Sequence, residues 1–190
     1  MGASLIINFQ IKQTRYTMQK SFFSYYEFST PLGQMIAIAS EEKLYLLAFT
    51  DSKYIHSNML KLSKNYNVSY VNSCNTILKQ VLLQIEEYFE GTRTIFDIPI
   101  NHIGSSFQQK VLHTLEPIPY GQVITYKQQA ESLEMPNSVR AVANANSKNL
   151  IALIIPCHRV IGANGKLTGY AGGLDRKRYL LELERKALIK

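Results

Sequence analysis

The hydrophobic period of this chain changes near residue 76, and that switch excludes most architectures. Upstream, residues 22–50, "FFSYYEFSTPLGQMIAIASEEKLYLLAFT", carry β-rich segments interrupted at Pro31-Leu32-Gly33 and at Glu41-Glu42-Lys43. They read as strands joined by turns. Downstream, Ile77, Leu78, Val81, Leu82, Ile85 and Phe89 recur at helical spacing until Gly91 stops the run. Strands and then a covering helix make a small α+β unit, with a link to the C-terminal half near residues 98–105.

Beyond the link the signals are helical. Ser106 with Gln109 reads as a capping box ahead of Val111, Leu112 and Leu115, and Pro117 and Pro119 end that helix. Thr125 with Gln128 repeats the box, and Pro136-Asn137 then separates "TYKQQAESLEM" from "NSVRAVANANSKN". Two short helices across a tight break have the form of a helix-turn-helix, a form shared by helical hairpins that bind nothing. On the second, Val139, Val142, Ala143 and Asn146 fall on an inward face, while Arg140 and Asn144 share another with Ala141 and Ala145 beside them. Small side chains around one arginine let a backbone approach while a single cation reaches outward, which suits a nucleic-acid groove. The fold class is α+β: an arm at 1–20, a small N-terminal β-sheet domain with a covering helix at 21–100, and a mainly helical C-terminal domain with a helix-turn-helix at 101–190.

Composition narrows the setting. With 46% hydrophobic and 18% charged residues, 190 residues bury a core as globular proteins do. No apolar stretch approaches the roughly 20 residues of a membrane span. The first twenty residues lack the basic start, apolar centre and cleavage site expected of a signal peptide, and Met18 is a candidate alternative start. Cys74 and Cys157 are far apart, so a disulfide framework is not expected and a reduced, cytosolic setting is. The net charge of +7 is uneven. Residues 157–190 hold eight basic against three acidic residues, whereas 1–100 hold nine against eight. A basic C-terminal segment fits an approaching polyanion, or simply a solvated helix face.

The chemistry centres on "IALIIPCHRVIG", residues 151–162. The apolar run from Asn149 to Ile155 ends at Pro156, so Cys157 is expected where a buried strand emerges. In the last helix Leu180, Leu181 and Leu188 form the inner stripe, and Glu184 falls on it. An inward carboxylate is costly unless paired. His158 is one partner; Arg159 and Arg185 are others. Thiol, base and orienting carboxylate would generate a thiolate near neutral pH. Adjacent side chains on a strand point to opposite faces, so Cys157 and His158 would cooperate only through a bend at Pro156 or a bridging water. Cys74, His56, His102, His113 and His158 show none of the short paired spacings of zinc sites, and no metal is expected. "GYAGG", residues 169–173, lacks the Lys-Ser/Thr of a phosphate loop and reads as a flexible wall carrying Tyr170.

Pro156-Cys157-His158-Arg159-Val160 resembles the active-site signature of the O6-alkylguanine-DNA alkyltransferases, the methylated-DNA–protein-cysteine methyltransferases. The likeness extends through "FQQKVLHTLEPIPYGQVITY", "RAVANANSKN" and "GYAGGLDRKRYLLELE", roughly residues 105–184, and more loosely to "TPLGQM" and "EYFEGTRTIFDIPI". It implies a ribonuclease-H-like N-terminal domain and an irreversible, cofactor-free repair reaction in the cytoplasm. A monomer would bind double-stranded DNA containing O6-alkylguanine through the minor groove, with O4-alkylthymine a second candidate. The damaged base is flipped out, because a thiolate cannot reach the alkyl carbon inside the stack.

By position, Cys157 would be the alkyl acceptor, His158 its base through a water, Glu184 the orienting carboxylate and Asn149 the hinge. Tyr170 would donate to the departing purine. Arg140 would fill the vacated stack, Tyr126 would crowd the phosphate, and Ala141, Asn144 and Ala145 would line the DNA face. Pro156, Val160, Ala171 and Lys177 would shape the pocket. Two positions depart from the family: Leu150 where many members have proline, and Ala143 where many have glycine. Two other classes remain, a non-repairing lesion-binding relative, which would lack the cysteine, and a cysteine hydrolase, which would turn over repeatedly.

Overall fold

The β-rich segments form three antiparallel strands, β1 (Ser21–Thr30), β2 (Gly33–Ala39) and β3 (Leu44–Phe49), in a computed structural model that describes residues 21–187. The expectations for the arm at 1–20 and for Leu188 lie outside the described residues. Pairing runs from Ser24–Ala39 to Thr30–Gly33 between β1 and β2, and from Met35–Phe49 onward between β2 and β3. Among the described residues no helix is long and apolar enough to cross a membrane.

The sheet carries two covering helices, not one. Residues 51–75, which show no clear periodicity, form α1 (Ile55–Tyr66) and β4 (Val68–Asn72), and β4 pairs parallel with β1 to give the order β3-β2-β1-β4. α1 buries only Leu62 fully, so its stripe is too thin to stand out in the sequence. Asn67, left-handed at φ 50°, ends the helix and turns the chain into β4. Ile36, Ile38 and Leu46 face α1 with Phe23 and Val68. Met35, Ala37 and Ala39 face the expected helix, α2 (Thr76–Glu90), through Ile77, Leu78, Val81, Ile85 and Tyr88. Burial on both faces explains why "MIAIA" is continuously apolar.

The second half is α3 (Ser106–His113), β5 (Ile124–Thr125), α4 (Tyr126–Ser132), α5 (Val139–Asn146), β6 (Val160–Ile161) and α6 (Leu174–Ala187). The first capping box sits one residue earlier than expected: Ser105 caps α3, with Gln108 returning to the Ser105 N–H at 2.9 Å. The second is Thr125 with Gln128, as expected. The run before Pro156 is not a strand. Ile151 makes a single bridge to Leu47, after which the chain turns through Leu153 at φ 69°. Leu153 and Ile155 are buried by that turn. Apolar continuity reports burial, and it does not separate a strand from a buried turn. One core runs from β2 and β3 through Ile118, Ile151, Val160 and Leu180.

Candidate active site

Glu184 is the hub. α6 buries Leu180 and Glu184 one turn apart, and four residues donate to the carboxylate. Tyr88 Oη lies 2.7 Å, His158 Nε2 2.8 Å and Arg159 Nη2 3.0 Å from Oε1; Arg159 Nε and the Gly121 N–H each lie 2.9 Å from Oε2. Arg159 Nη1 also donates to the Ile118 carbonyl at 2.7 Å. Both His158 and Arg159 are therefore partners, and Arg185 is exposed. Burial alone would raise the Glu184 carboxyl, but the hydrogen bond and charge of His158 and then of Arg159 outweigh it and hold the group at about 2. An ionised Oε1 accepts, so His158 Nε2 carries the proton. Burial also lowers the imidazole, against the pull of Glu184. In its neutral form Nδ1 then keeps its lone pair, and that atom is buried without a protein hydrogen-bond partner among the described residues.

Cys157 opens a tight 3-10 turn, Cys157–Arg159, entered from Pro156 at ψ 59°. This bend, not a strand, sets Cys157 and His158 relative to each other. Asn149 braces it: Nδ2 donates to the Ile155 carbonyl at 2.8 Å and lies 3.2 Å from Cys157 Sγ, while Oδ1 accepts from the Ile151 N–H. No hydrogen bond joins Sγ to His158 among the described residues. Burial pushes the Cys157 thiol up, opposed by the Asn149 bond and the Lys177 charge. Desolvation thus favours the thiol, against the pull of its neighbours toward a thiolate.

Cys157, 7% exposed, lines a cavity of about 340 Å³ together with Tyr170, Ala171, Asn149, Leu150 and Leu47. The size is that of a small-molecule pocket. Tyr170 Oη is buried, lacks a protein partner among the described residues and is pushed well above its ordinary pKa by burial, so it keeps its proton. A side chain at Gly172 would meet the Tyr170 ring at 2.7 Å, so glycine there sets the ring's place. Pro156, Val160 and Lys177 are buried but do not line the cavity. Lys177 donates to the carbonyls of Val160 and, at 2.7 Å, Thr168, and burial pushes its ammonium down to about 8. The Val160 N–H is also engaged, by the Cys157 carbonyl, whereas its own carbonyl, which accepts from Lys177, keeps a second lone pair.

The helix pair is arranged around a buried amide pair, of which only Asn146 is marked by the sequence. Asn146 Nδ2 donates to Gln129 Oε1 at 2.6 Å, and Gln129 Nε2 reaches Asn146, Thr114 and the Val111 carbonyl. Gln129 lies on the inner face of a helix whose polar sequence gives no sign of it. Arg140, Ala141 and Asn144 are exposed together; Ala143 is half-buried. Ala145 is only 2% exposed and faces Val111, Ala130 and Val142, so it packs inward rather than lining an outer face. Tyr126 is likewise buried at 7%, its hydroxyl shared between the Thr168 and Gly169 carbonyls at 3.1 and 3.0 Å. It braces the loop that carries Tyr170 and is not presented to a phosphate in this conformation.

Fold and site define a class: an α+β protein whose buried thiol, next in the chain to an imidazole bonded to a carboxylate, opens on a cavity near a helix pair with an exposed arginine. Known proteins narrow it. The family model for the 6-O-methylguanine DNA methyltransferase ribonuclease-like domain matches residues 22–102, and that for the DNA binding domain matches 106–186. The methylated-DNA–protein-cysteine methyltransferase of Methanosarcina acetivorans is 42% identical over 159 residues, covering 83% of this chain and 95% of the relative. That of Mycobacterium leprae is 39% identical over 160 residues, covering 84% and 91%. The structure of Mycobacterium tuberculosis OGT in complex with DNA matches with a TM-score of 0.75 at 36% identity, covering 86% of this chain and 94% of that one. The chain belongs to the methylated-DNA–protein-cysteine methyltransferase family.

Proposed function

We propose that this protein repairs alkylated DNA by direct reversal, moving the alkyl carbon of O6-alkylguanine onto Cys157 Sγ in one irreversible turnover. The observation that carries this reading is a buried thiol at a cavity wall, followed in the chain by an imidazole whose Nδ1 has no protein partner among the described residues. The thiol proton leaves through a bridging water to His158 Nδ1, and Glu184 stabilises the imidazolium that forms. The S–C bond forms as the C–O6 bond breaks, and the electron pair stays with the purine, to which Tyr170 donates a hydrogen bond. The exchange is redox-neutral and needs no cofactor. O4-alkylthymine offers the same ether carbon as a second substrate.

The lesion reaches the cavity by flipping out of double-stranded DNA. Arg140, extended from α5 among Ala141 and Asn144, fills the space left in the stack. Residues 101–190 bind DNA and accept the alkyl group, residues 21–100 support them, and the protein acts as a cytoplasmic monomer.

With methylated duplex DNA in excess, one methyl mass should appear on the peptide holding Cys157, and product should plateau at one equivalent of protein. Cys157→Ser should bind DNA and transfer nothing. Continued turnover, or transfer by Cys157→Ser, overturns the reading. Arg140→Ala should slow repair of duplex lesions by about tenfold or more, the factor equivalent to about 1.4 kcal/mol, yet leave reaction with free O6-benzylguanine near the parent rate. Equal losses on both substrates would remove the stacking role.

A further inference from the structure

A second cluster of ligating groups lies away from Cys157. His102 is in the link between the two halves, His113 is the last residue of α3, and Glu116 lies three residues beyond it. Glu116 Oε1 lies 2.9 Å from His113 Nδ1 and 3.4 Å from His102 Nε2. One ligand atom from each residue falls within 4.8 Å of the others. Bonds of about 2.0–2.1 Å to a tetrahedral ion place its ligands roughly 3.3 Å apart, close to the 3.4 Å separation and wider than the 2.9 Å one. The two imidazole centroids lie 4.0 Å apart with the rings tilted by 38°, and His102 Nδ1 is buried with no protein partner among the described residues.

We propose that His102, His113 and Glu116 form a binding site for a borderline divalent metal ion, with Zn(II) as the type. Two imidazoles and a carboxylate make a three-ligand set whose fourth position is open to water. Nitrogen donors favour Zn(II), Co(II) and Ni(II) over hard cations, which take oxygen. The link is already tied to the sheet, since Leu44 and the segment 99–101 exchange two 2.8 Å hydrogen bonds. An ion on His102 would extend that tie to α3, and α3 packs directly on α5. Spacings of 11 and 3 residues hide the set in the sequence; only the path of the link brings it together.

The test is titration of the full chain with Zn(II) in competition with a chromophoric chelator, and with Co(II) read by its visible absorption. One saturable ion per chain is expected, together with a rise in unfolding temperature. His113→Ala and Glu116→Gln, at exposed side chains that leave the core intact, should each weaken binding at least tenfold and abolish the thermal rise. Cys157→Ser and Cys74→Ser should bind as the parent does. The proposal is overturned by no saturable binding below about 1 mM, by binding that survives both His113→Ala and Glu116→Gln, or by loss of binding in Cys157→Ser.

Discussion

The sheet buries Met35 and Ala37 beneath α2 and Ile38 and Leu46 beneath α1 among apolar neighbours, whereas the turn at 157–159 buries His158 and Arg159 together with Lys177 and Glu184. The apolar region needs only volume and contact. The polar region needs every charge met, because a buried ion left unpaired is costly. Substitutions should therefore fail differently in the two. Glu184→Ala strips four residues of their shared acceptor and leaves Arg159 buried without a countercharge, at about 3–5 kcal/mol. Leu46→Ala leaves a cavity at about 2–5 kcal/mol. Chemical denaturation is expected to place the two near each other. Alkyl transfer at a temperature where both are folded should separate them: Leu46→Ala keeps it and Glu184→Ala loses it. Loss of transfer in both would erase the distinction.

The same carboxylate gives the polar region an acid limit. Its folded-state group titrates at about 2, below its ordinary 4.5. A depressed acid contributes stability that is complete above the unfolded value and is lost as pH falls through the folded one. Unfolding midpoints should fall more steeply between about pH 4.5 and 2 in the parent than in Glu184→Gln, while Leu46→Ala should track the parent's slope. Parallel curves for parent and Glu184→Gln would place the acid sensitivity elsewhere.

The contrast also explains what is legible in the sequence. Apolar burial leaves a period, so β1–β3, α2 and the helix pair are readable from residues such as Ile36, Val81 and Val142. The inward place of Glu184 is readable for the same reason, as a charge in step with Leu180 on the buried stripe. Polar burial leaves no period. Tyr88 and Gly121 come from elements distant in sequence, and nothing local announces that they close on one carboxylate. The turn at Leu153 is hidden by its own apolarity, Gln129 by polar neighbours, and the thiol's protonation state by desolvation, which only coordinates reveal.

Tyr88 joins the two regions, since its ring packs with Phe89, Phe96 and Tyr120 while its hydroxyl reaches Glu184. Tyr88→Phe keeps the ring and removes one donor from a carboxylate that retains three residues. A hydrogen bond to a charged group contributes about 1.5–3 kcal/mol, and the remaining donors place this one near the lower end. Transfer should persist. A cost as large as that of Glu184→Ala would mean that the Tyr88 hydrogen bond, more than the Arg159 ion pair, holds the hub together.

The smallest effect belongs to the start of the helix pair. Thr125 Oγ1 accepts from the Gln128 N–H at 3.1 Å and Gln128 Oε1 accepts from the Thr125 N–H at 2.7 Å, so the cap satisfies donors that α4 leaves open. Thr125→Ala should cost about 1 kcal/mol, read as a lower urea midpoint with an unchanged m-value. Ser105→Ala, at the matching box on α3, should cost about the same. The two boxes differ in the helix each one starts. α4 begins with Tyr126, whose hydroxyl holds the loop bearing Tyr170, whereas no residue in the first turn of α3 bonds to that loop. Thr125→Ala should therefore slow transfer modestly and Ser105→Ala should not. Equal rates in the two would mean that the Tyr126 anchor holds the loop without help from the cap.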